Sequence, residues 1–211
     1  NLGLMYEKGL GVDKNYNLAK EYYELAAKQN LPEAICNLGF LYEKGNGVKI
    51  NYDKAKYYYD LAALKNSSSA FLHLGNLYEN GHGVKQDYNA AKYFYELAAQ
   101  QKNHSAYSAL SYLYLMGYGI ERDYKKFLYY NDLSGETFDP EKKAIEADDK
   151  IYDYIYEIAC RFESGEENIL PLIKTKVKSN KLAKKYFELA ASKGNSKALN
   201  RLGDFYFYGI E

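Results

Sequence analysis

The sequence predicts an all-α protein, a solenoid of tandem helix-turn-helix repeats about 36 residues long. Sliding the chain against itself by about 36 residues aligns three Leu-Gly pairs, Leu2-Gly3, Leu38-Gly39 and Leu74-Gly75. No segment alternates apolar and polar residues strongly enough to indicate a β-strand. Because one helical hairpin cannot bury its own apolar side, the repeats are expected to stack on each other.

Further coincidences keep the same register. A tyrosine follows each Leu-Gly pair by three residues, and a Gly-x-Gly sequence comes next, at Gly9 and Gly11, Gly45 and Gly47, Gly81 and Gly83, and Gly117 and Gly119. The second half of the unit recurs as AKEYYELAA, AKYYYDLAA and AKYFYELAA. Chance does not produce this many matches in one register, and they predict five hairpins followed by a last helix near 196–209.

Each unit is predicted to contain two helices, because apolar residues recur at spacings of three and four in each half. The first helix carries the stripe Ala34, Leu38, Leu41 and Tyr42. The second is expected to begin after a good N-cap residue, at Asn15, Asn51, Asp87, Asp123 and Ser179. The predicted helices lie near 15–29, 32–45, 51–65, 68–81, 87–101 and 104–117.

Four equivalent glycines are predicted to end the first helices in the left-handed conformation, where glycine has no Cβ penalty. They are Gly9, Gly45, Gly81 and Gly117. Pro32 suits the first turn of its helix, where its missing N–H costs nothing. Leu38, Leu74, Tyr42 and Tyr78 are expected to be mostly buried between hairpins.

Two insertions interrupt the period, near 131–150 and 166–178. The first is acidic, and the second joins an apolar run to a series of lysines. Each fits a docking loop, because long loops in compact folds are often functional. Each also fits a solvated linker with a locally buried apolar end, which is the interpretation that the pattern favours. Residues 1–211 are expected to form a single solenoid. Because neither end has a polar capping repeat, the chain is expected to be a fragment of a longer protein.

The unit A-x-x-x-L-G-x-x-Y-x-x-G-x-G-V-x-x-(D/N)-Y-x-x-A-x-x-Y-(Y/F)-x-L-A-A resembles the Sel1-like repeat, a relative of the tetratricopeptide repeat. Ala34 to Ala63 and Ala70 to Ala99 carry it almost without exception. The resemblance implies a right-handed α/α superhelix that acts as a scaffold or adaptor. Ser111, Phe127 and Tyr154 replace smaller residues of the pattern, so wider helix spacing is expected around them.

Composition excludes several classes of protein. Lysine plus arginine and aspartate plus glutamate both total 28, so no net charge favours nucleic acid, and no nucleic-acid partner is expected. No apolar run approaches the roughly 18 residues of a transmembrane helix. Two cysteines that fit no paired pattern favour a reducing compartment, the cytoplasm. The 26 tyrosines fit a tyrosine-rich binding surface or the codon bias of an AT-rich genome.

Chemical motifs are weak throughout. The Gly-x-Gly pairs follow a helix and lack the third glycine of a nucleotide-binding loop, so they are interpreted as turns. The three histidines His73, His82 and His104 fall at unrelated phases of the repeat and predict no zinc site. No serine has a lysine three residues later, so the β-lactamase signature is absent. No catalytic residue, metal or cofactor is expected.

The function predicted is non-catalytic protein or peptide binding. The alternative is a regulatory repeat region of a larger enzyme, such as a kinase or a ubiquitin-ligase subunit. On each first helix, a second stripe without consensus lies roughly 120° from the apolar stripe, and first helices of such superhelices usually line the concave surface. The predicted partner-binding residues on it are Asn37, Phe40, Lys44, His73, Asn76, Asn80, Tyr112 and Met116. Phe40 and Tyr112 fit either anchoring of a partner or packing against the adjacent repeat.

Overall fold

The computed structural model describes residues 2–135, 150–165 and 180–210, and these parts of the chain contain only helices and turns. Within them the helices are α1 Leu2–Lys8, α2 Tyr16–Lys28, α3 Pro32–Lys44, α4 Tyr52–Ala63, α5 Ser68–Asn80, α6 Tyr88–Gln100, α7 His104–Met116, α8 Tyr124–Ser134, α9 Lys150–Ser164, α10 Asn180–Ser192 and α11 Ser196–Tyr208. The all-α prediction is confirmed, and the six predicted helix positions agree with α2 to α7. Most of both insertions lies outside the described residues.

The chain divides into two compact units, Asn1–Arg122 and Asp123–Glu211. In the first unit α1 packs against α2, α3 against α4 and α5 against α6, and each pair packs against the helix that follows it. In the second unit α10 packs against both α9 and α11. Nearest-neighbour packing of this kind is typical of a solenoid. The expectation of one solenoid over residues 1–211 stays a prediction.

The helix ends form as the sequence predicts. The side chains of Asn15, Asn51, Asp87 and Asp123 each accept a hydrogen bond from a backbone N–H in the first turn of their helix. Ser179, the fifth predicted N-cap, lies outside the described residues. The predicted C-terminal glycines all have positive φ, with values of 71° at Gly9, 73° at Gly45, 69° at Gly81 and 71° at Gly117.

In the second, third and fourth repeats, the second glycine of the Gly-x-Gly sequence contacts the repeat before it. A Cβ atom on Gly83 would lie 2.6 Å from Cβ of Tyr52, and Gly47 and Gly119 are as close to the equivalent tyrosines. The residue between the two glycines completes the contact, since the ring of His82 stacks on Tyr52 with centroids 4.6 Å apart. The turn predicted from these glycines is therefore also a contact between repeats.

The turns between repeats have a recurring shape as well. Asn30, Asn66 and Lys102 occupy one equivalent position and have φ of 61°, 59° and 60°. The side chain of Gln101 donates hydrogen bonds of 3.1 Å to the backbone and side-chain oxygens of Asn66 in the preceding repeat. Successive repeats are thus held in register at these turns also.

The core follows the predicted apolar stripe. Leu38 and Leu74 are each 1% exposed, as expected. Tyr42 and Tyr78 are less completely covered than the leucines, but most of each side chain is buried, as expected. Their rings stack on the second helix of the same hairpin, Tyr42 on Tyr58 with centroids 5.7 Å apart, and the pair stays open to solvent on one side.

The residues that depart from the repeat pattern are accommodated inside. Ser111 and Phe127 are 1% and 0% exposed. The side chain of Tyr154 lies outside the described residues, and the wider helix spacing expected around these positions stays a prediction. α9 and α10 pair as the fifth hairpin, with Ile158 and Phe162 buried in the positions that the repeat register assigns to them.

Truncation of Leu74 should destabilise the protein locally. We expect Leu74→Ala to lower the free energy of unfolding by roughly 2–5 kcal/mol, because the residue is fully buried. Leu64→Ala is the matched control, since Leu64 is 85% exposed and should change stability little. In hydrogen exchange, α4 to α6 should open more than α1, and equal loosening of near and distant repeats would contradict nearest-neighbour stacking.

Adding a methyl group to a turn glycine should reveal the contact between repeats. Gly83→Ala and Gly11→Ala share the strain of a left-handed residue, with φ of 68° and 73°. A Cβ on Gly11 meets nothing within 4 Å, whereas a Cβ on Gly83 meets Tyr52. Gly83→Ala should therefore lose about 1–3 kcal/mol more stability in urea unfolding than Gly11→Ala. Equal losses would show that this contact does not stabilise the stack.

Candidate protein-binding face

The variable stripe forms the accessible side of the first helices in the first unit. It comprises Glu33, Asn37, Phe40 and Lys44 on α3, Ser69, His73, Asn76 and Asn80 on α5, and Ser105, Ala109, Tyr112 and Met116 on α7. All of these side chains are exposed or half-buried. On the same helices Leu38, Leu74 and Leu110 are at most 1% exposed. Residues that differ between repeats thus reach the surface, whereas the recurring leucines are buried.

The predicted binding residues differ in how freely they are presented. Lys44, Asn80 and Tyr112 are exposed, and Asn37, Phe40, His73, Asn76 and Met116 are half-buried. The Asn80 amide donates a 2.8 Å hydrogen bond to the Asn76 carbonyl oxygen one turn earlier. The ring of Tyr112 contacts Tyr118 edge to face, with centroids 6.0 Å apart. Tyr112 therefore offers an aromatic surface held in place from one side.

A carboxylate beside the stripe is bonded to a buried tyrosine in three successive repeats. The Tyr59 hydroxyl donates a 2.6 Å hydrogen bond to Glu43, and Tyr23 and Tyr95 donate in the same way to Glu7 and Glu79. The pair depends on the glycine of the Leu-Gly sequence, since a Cβ on Gly39 would lie 2.7 Å from the Tyr59 ring. These bonds were not predicted from the sequence. The signal was present, as a glutamate four residues after each such glycine and a tyrosine sixteen residues after that.

His73 completes the environment of Glu43 from the next repeat. Its Nδ1 lies 3.4 Å from a Glu43 carboxylate oxygen. This nitrogen forms no hydrogen bond with any residue that the structure describes. Its ring stacks on Tyr59 at 4.7 Å and contacts Phe40 at 5.6 Å. Phe40 and His73 therefore link two repeats, as the packing interpretation of Phe40 expects, while one side of each remains accessible.

Glu43 is held as an anion although it is only 8% exposed. Burial by itself raises the pKa of this carboxyl, but the contact with His73 and the hydrogen bonds from Lys44 and Tyr59 outweigh it. The pKa of Glu43 is consequently about 2. Lys44 lies 2.5 Å from the carboxylate while its side chain is half in solvent, so it contributes one cation at the edge of the stripe.

The described parts of the chain show no cluster of metal-ligating side chains. Across residues 2–135, 150–165 and 180–210, no group of three or more His, Cys, Asp and Glu side chains is placed to hold a metal ion. Burial raises the pKa of the Cys36 thiol to about 12, with Glu43 and Glu33 adding to the effect, so the reactive thiolate is disfavoured. None of the described helices is long and apolar enough to span a membrane.

The buried carboxylate should make stability depend on acid pH. Between its ordinary value of 4.5 and its folded value of about 2, Glu43 is protonated in the unfolded chain and ionised in the folded one. The free energy of unfolding should therefore fall as pH is lowered through this window. In urea unfolding, Glu43→Gln should show a smaller loss, and Glu21→Gln, which changes an exposed carboxylate, should keep the wild-type slope. Equal slopes in all three proteins would refute this role.

Comparison with solved structures supports the helical repeat fold. A crystal structure of c5321, a protective antigen present in uropathogenic Escherichia coli strains and displaying an SLR fold, matches with a TM-score of 0.62 and 30% identity over 99% of this chain. The chain spans 40% of the length of that structure. A Sel1 repeat protein from Oxalobacter formigenes matches with a TM-score of 0.61 and 28% identity, covering 99% of this chain and 77% of that one.

The family model of the Sel1 repeat matches residues 1–31, 32–67, 70–103, 104–130, 175–195 and 196–211. No curated protein matches the sequence. The match passes over the first helix of the fifth repeat, which α9 nevertheless forms. Sel1 repeats are generally protein-interaction repeats and non-catalytic scaffolds. Since the model matches most of the chain and the fold agrees with it, this protein belongs to the Sel1 repeat family.

Proposed function

We propose that this protein is a binding scaffold or adaptor, and that the variable stripe on α3, α5 and α7 selects its protein or peptide partner. The proposal rests on the different burial of two sets of residues on the first helices. Recurring residues such as Leu38 and Leu74 are buried in the stack, whereas residues that differ between repeats are open to solvent. Because the recurring residues hold the repeats together, residues of the stripe can differ between repeats without unfolding the protein.

The stripe has the composition of a binding surface. Tyr112 is 36% exposed and Met116 is half-buried beside it on the same helix face. Aromatic and methionine side chains contribute strongly to binding free energy when a partner covers them. Lys44 and Asn80 add polar groups at the edge, and polar edges around apolar anchors are typical of protein interfaces.

A competing surface lies on the second helices. Tyr57 and Tyr93 are equivalent residues of α4 and α6, and they are 59% and 58% exposed. Each contacts its neighbour in the same helix edge to face, Tyr57 with Tyr58 and Tyr93 with Phe94. The equivalent residues of α2 and α10 are Glu21 and Lys185, so stacking of the repeats does not require an aromatic residue at this position. Tyr57 and Tyr93 provide matched aromatic controls for the variable stripe.

We expect a photo-crosslinking amino acid to capture a partner from the variable stripe and not from the second helices. Benzoylphenylalanine would replace Tyr112, Asn80 or Lys44 in one set and Tyr57 or Tyr93 in the other. The captured protein is identified by mass spectrometry and its affinity measured by calorimetry. Tyr112→Ala should weaken binding by about 1 kcal/mol or more, as for a hot-spot residue, without changing the melting temperature.

Tyr93→Ala is the control for this measurement and should bind as the wild type does. Phe40→Ala is expected to lower both affinity and melting temperature, because it also uncovers the ring of His73. Crosslinks that form only from Tyr57 or Tyr93, or unchanged affinity in Tyr112→Ala, would place the binding surface elsewhere.

We also propose a reducing compartment, the cytoplasm, as the site of action. Cys36 and Cys160 are both free thiols, and Cys36 is buried in the first unit. When the native protein is denatured and then alkylated, mass spectrometry should find both cysteines modified. A disulfide to either residue would contradict the proposal.

A further inference from the structure

The carboxylates beside the variable stripe are approached from the following repeat by the residue equivalent to Asn37. For Glu43 this residue is His73, at 3.4 Å. For Glu163 on α9 it is Arg201 on α11, whose guanidinium donates to both carboxylate oxygens at 3.1 and 2.9 Å. The fold can therefore place a cation, including a bidentate guanidinium, against a carboxylate at this position.

Glu79 has the carboxylate but neither of the cations that serve Glu43. Its equivalent of His73 is Ala109, and its equivalent of Lys44 is Asn80, whose amide is turned to the Asn76 carbonyl oxygen. One carboxylate oxygen of Glu79 accepts the Tyr95 hydrogen bond. Among the residues that the structure describes, the other oxygen, Oε1, accepts no hydrogen bond and faces no cation.

An aromatic surface lies beside Ala109. Tyr112 follows Ala109 by three residues, so the two side chains lie on the same face of α7. Burial raises the pKa of Tyr112, and the charge and hydrogen bond of Tyr118 and then the charge of Glu79 add to the effect. Tyr112 is also exposed, and Ala109 fills little of the space that His73 fills one repeat earlier. A planar cation is favoured on such a tyrosine ring, and arginine more often than lysine takes this place.

We propose that Glu79 anchors an arginine side chain of the partner, which inserts over Ala109, donates to the free carboxylate oxygen and stacks on Tyr112. The inference rests on the proposed function and names the chemistry that the variable stripe recognises. Arg201 on Glu163 is the internal counterpart of this complex, made within the chain. In the Glu79 site the partner would supply the cation.

The test uses two pentapeptides that are acetylated and amidated at their ends and consist of alanine except at the centre. The central residue is arginine in one peptide and citrulline, which has the same shape but no charge, in the other. In nitrogen-15 NMR titrations of the whole chain, the arginine peptide should shift the amide signals of 76–80 and 109–116. The citrulline peptide should bind about tenfold more weakly, because charged hydrogen bonds are roughly twice as strong as neutral ones. Equal binding of the two peptides, or shifts confined to other regions, would overturn the proposal.

Two variants remove the site in different ways. Glu79→Gln removes the charge, and Ala109→Arg supplies a guanidinium within the chain while keeping the carboxylate. Both variants should lose the amide shifts that the arginine peptide causes more strongly than the citrulline peptide. Glu21→Gln on α2 should retain these shifts. If either variant loses its dispersed spectrum, the other carries the comparison. Normal arginine binding by a folded variant would overturn the assignment of Glu79.

Failure of this site and failure of the proposed function give different results. If crosslinking from Tyr112 captures the partner and Glu79→Gln binds it normally, the variable stripe is the binding face and the arginine anchor is wrong. If crosslinks form only from Tyr57 and Tyr93, the binding face itself is wrong. A partner that binds Glu79→Gln about tenfold more weakly and keeps its crosslinks supports both.

Discussion

The close approach of a tyrosine ring to a glycine in the facing helix is the constraint on which the rest of the structure depends. A Cβ on Gly39 would lie 2.7 Å from the Tyr59 ring, so a larger residue there would displace the ring from its present position. That position carries the Tyr59 hydroxyl to Glu43, one turn further along α3. Glu43 in turn meets His73 of the next repeat. One small residue thereby links the packing of a hairpin to the packing between hairpins.

The later repeats show what happens when a member of this chain of contacts is replaced. In the fifth repeat Ala159 takes the place of the glycine, and Phe187, which has no hydroxyl, takes the place of the tyrosine. Glu163 then receives its hydrogen bonds from Arg201 instead. In the fourth repeat Leu115 replaces the glutamate and is buried. Either the carboxylate finds another donor or an apolar residue removes the need for one, as the cost of an unpaired buried charge requires.

Features fixed by near neighbours could be predicted from the sequence, and features that join distant residues could not. N-caps such as Asn51 and cap glycines such as Gly45 depend on a few adjacent residues, so their positions and their backbone angles were predictable. Glu43 looks like an ordinary solvent residue in a helical pattern, and only its partner Tyr59 and the histidine of the next repeat explain its burial. The contact of Phe40 with His73 likewise joins two repeats, and it favours packing, one of the two interpretations of Phe40 that the sequence left open.

This double use of the stripe changes how binding specificity can arise. The position of Asn37, His73, Ala109 and Arg201 both stabilises the stack and borders the accessible face. A cationic residue there satisfies the carboxylate of the preceding repeat and closes it to a partner, as Arg201 does for Glu163. A small residue such as Ala109 leaves the carboxylate of Glu79 available. In the proposed complex, the partner binds where the stack leaves a carboxylate without a cation, so a single side chain affects both stability and recognition.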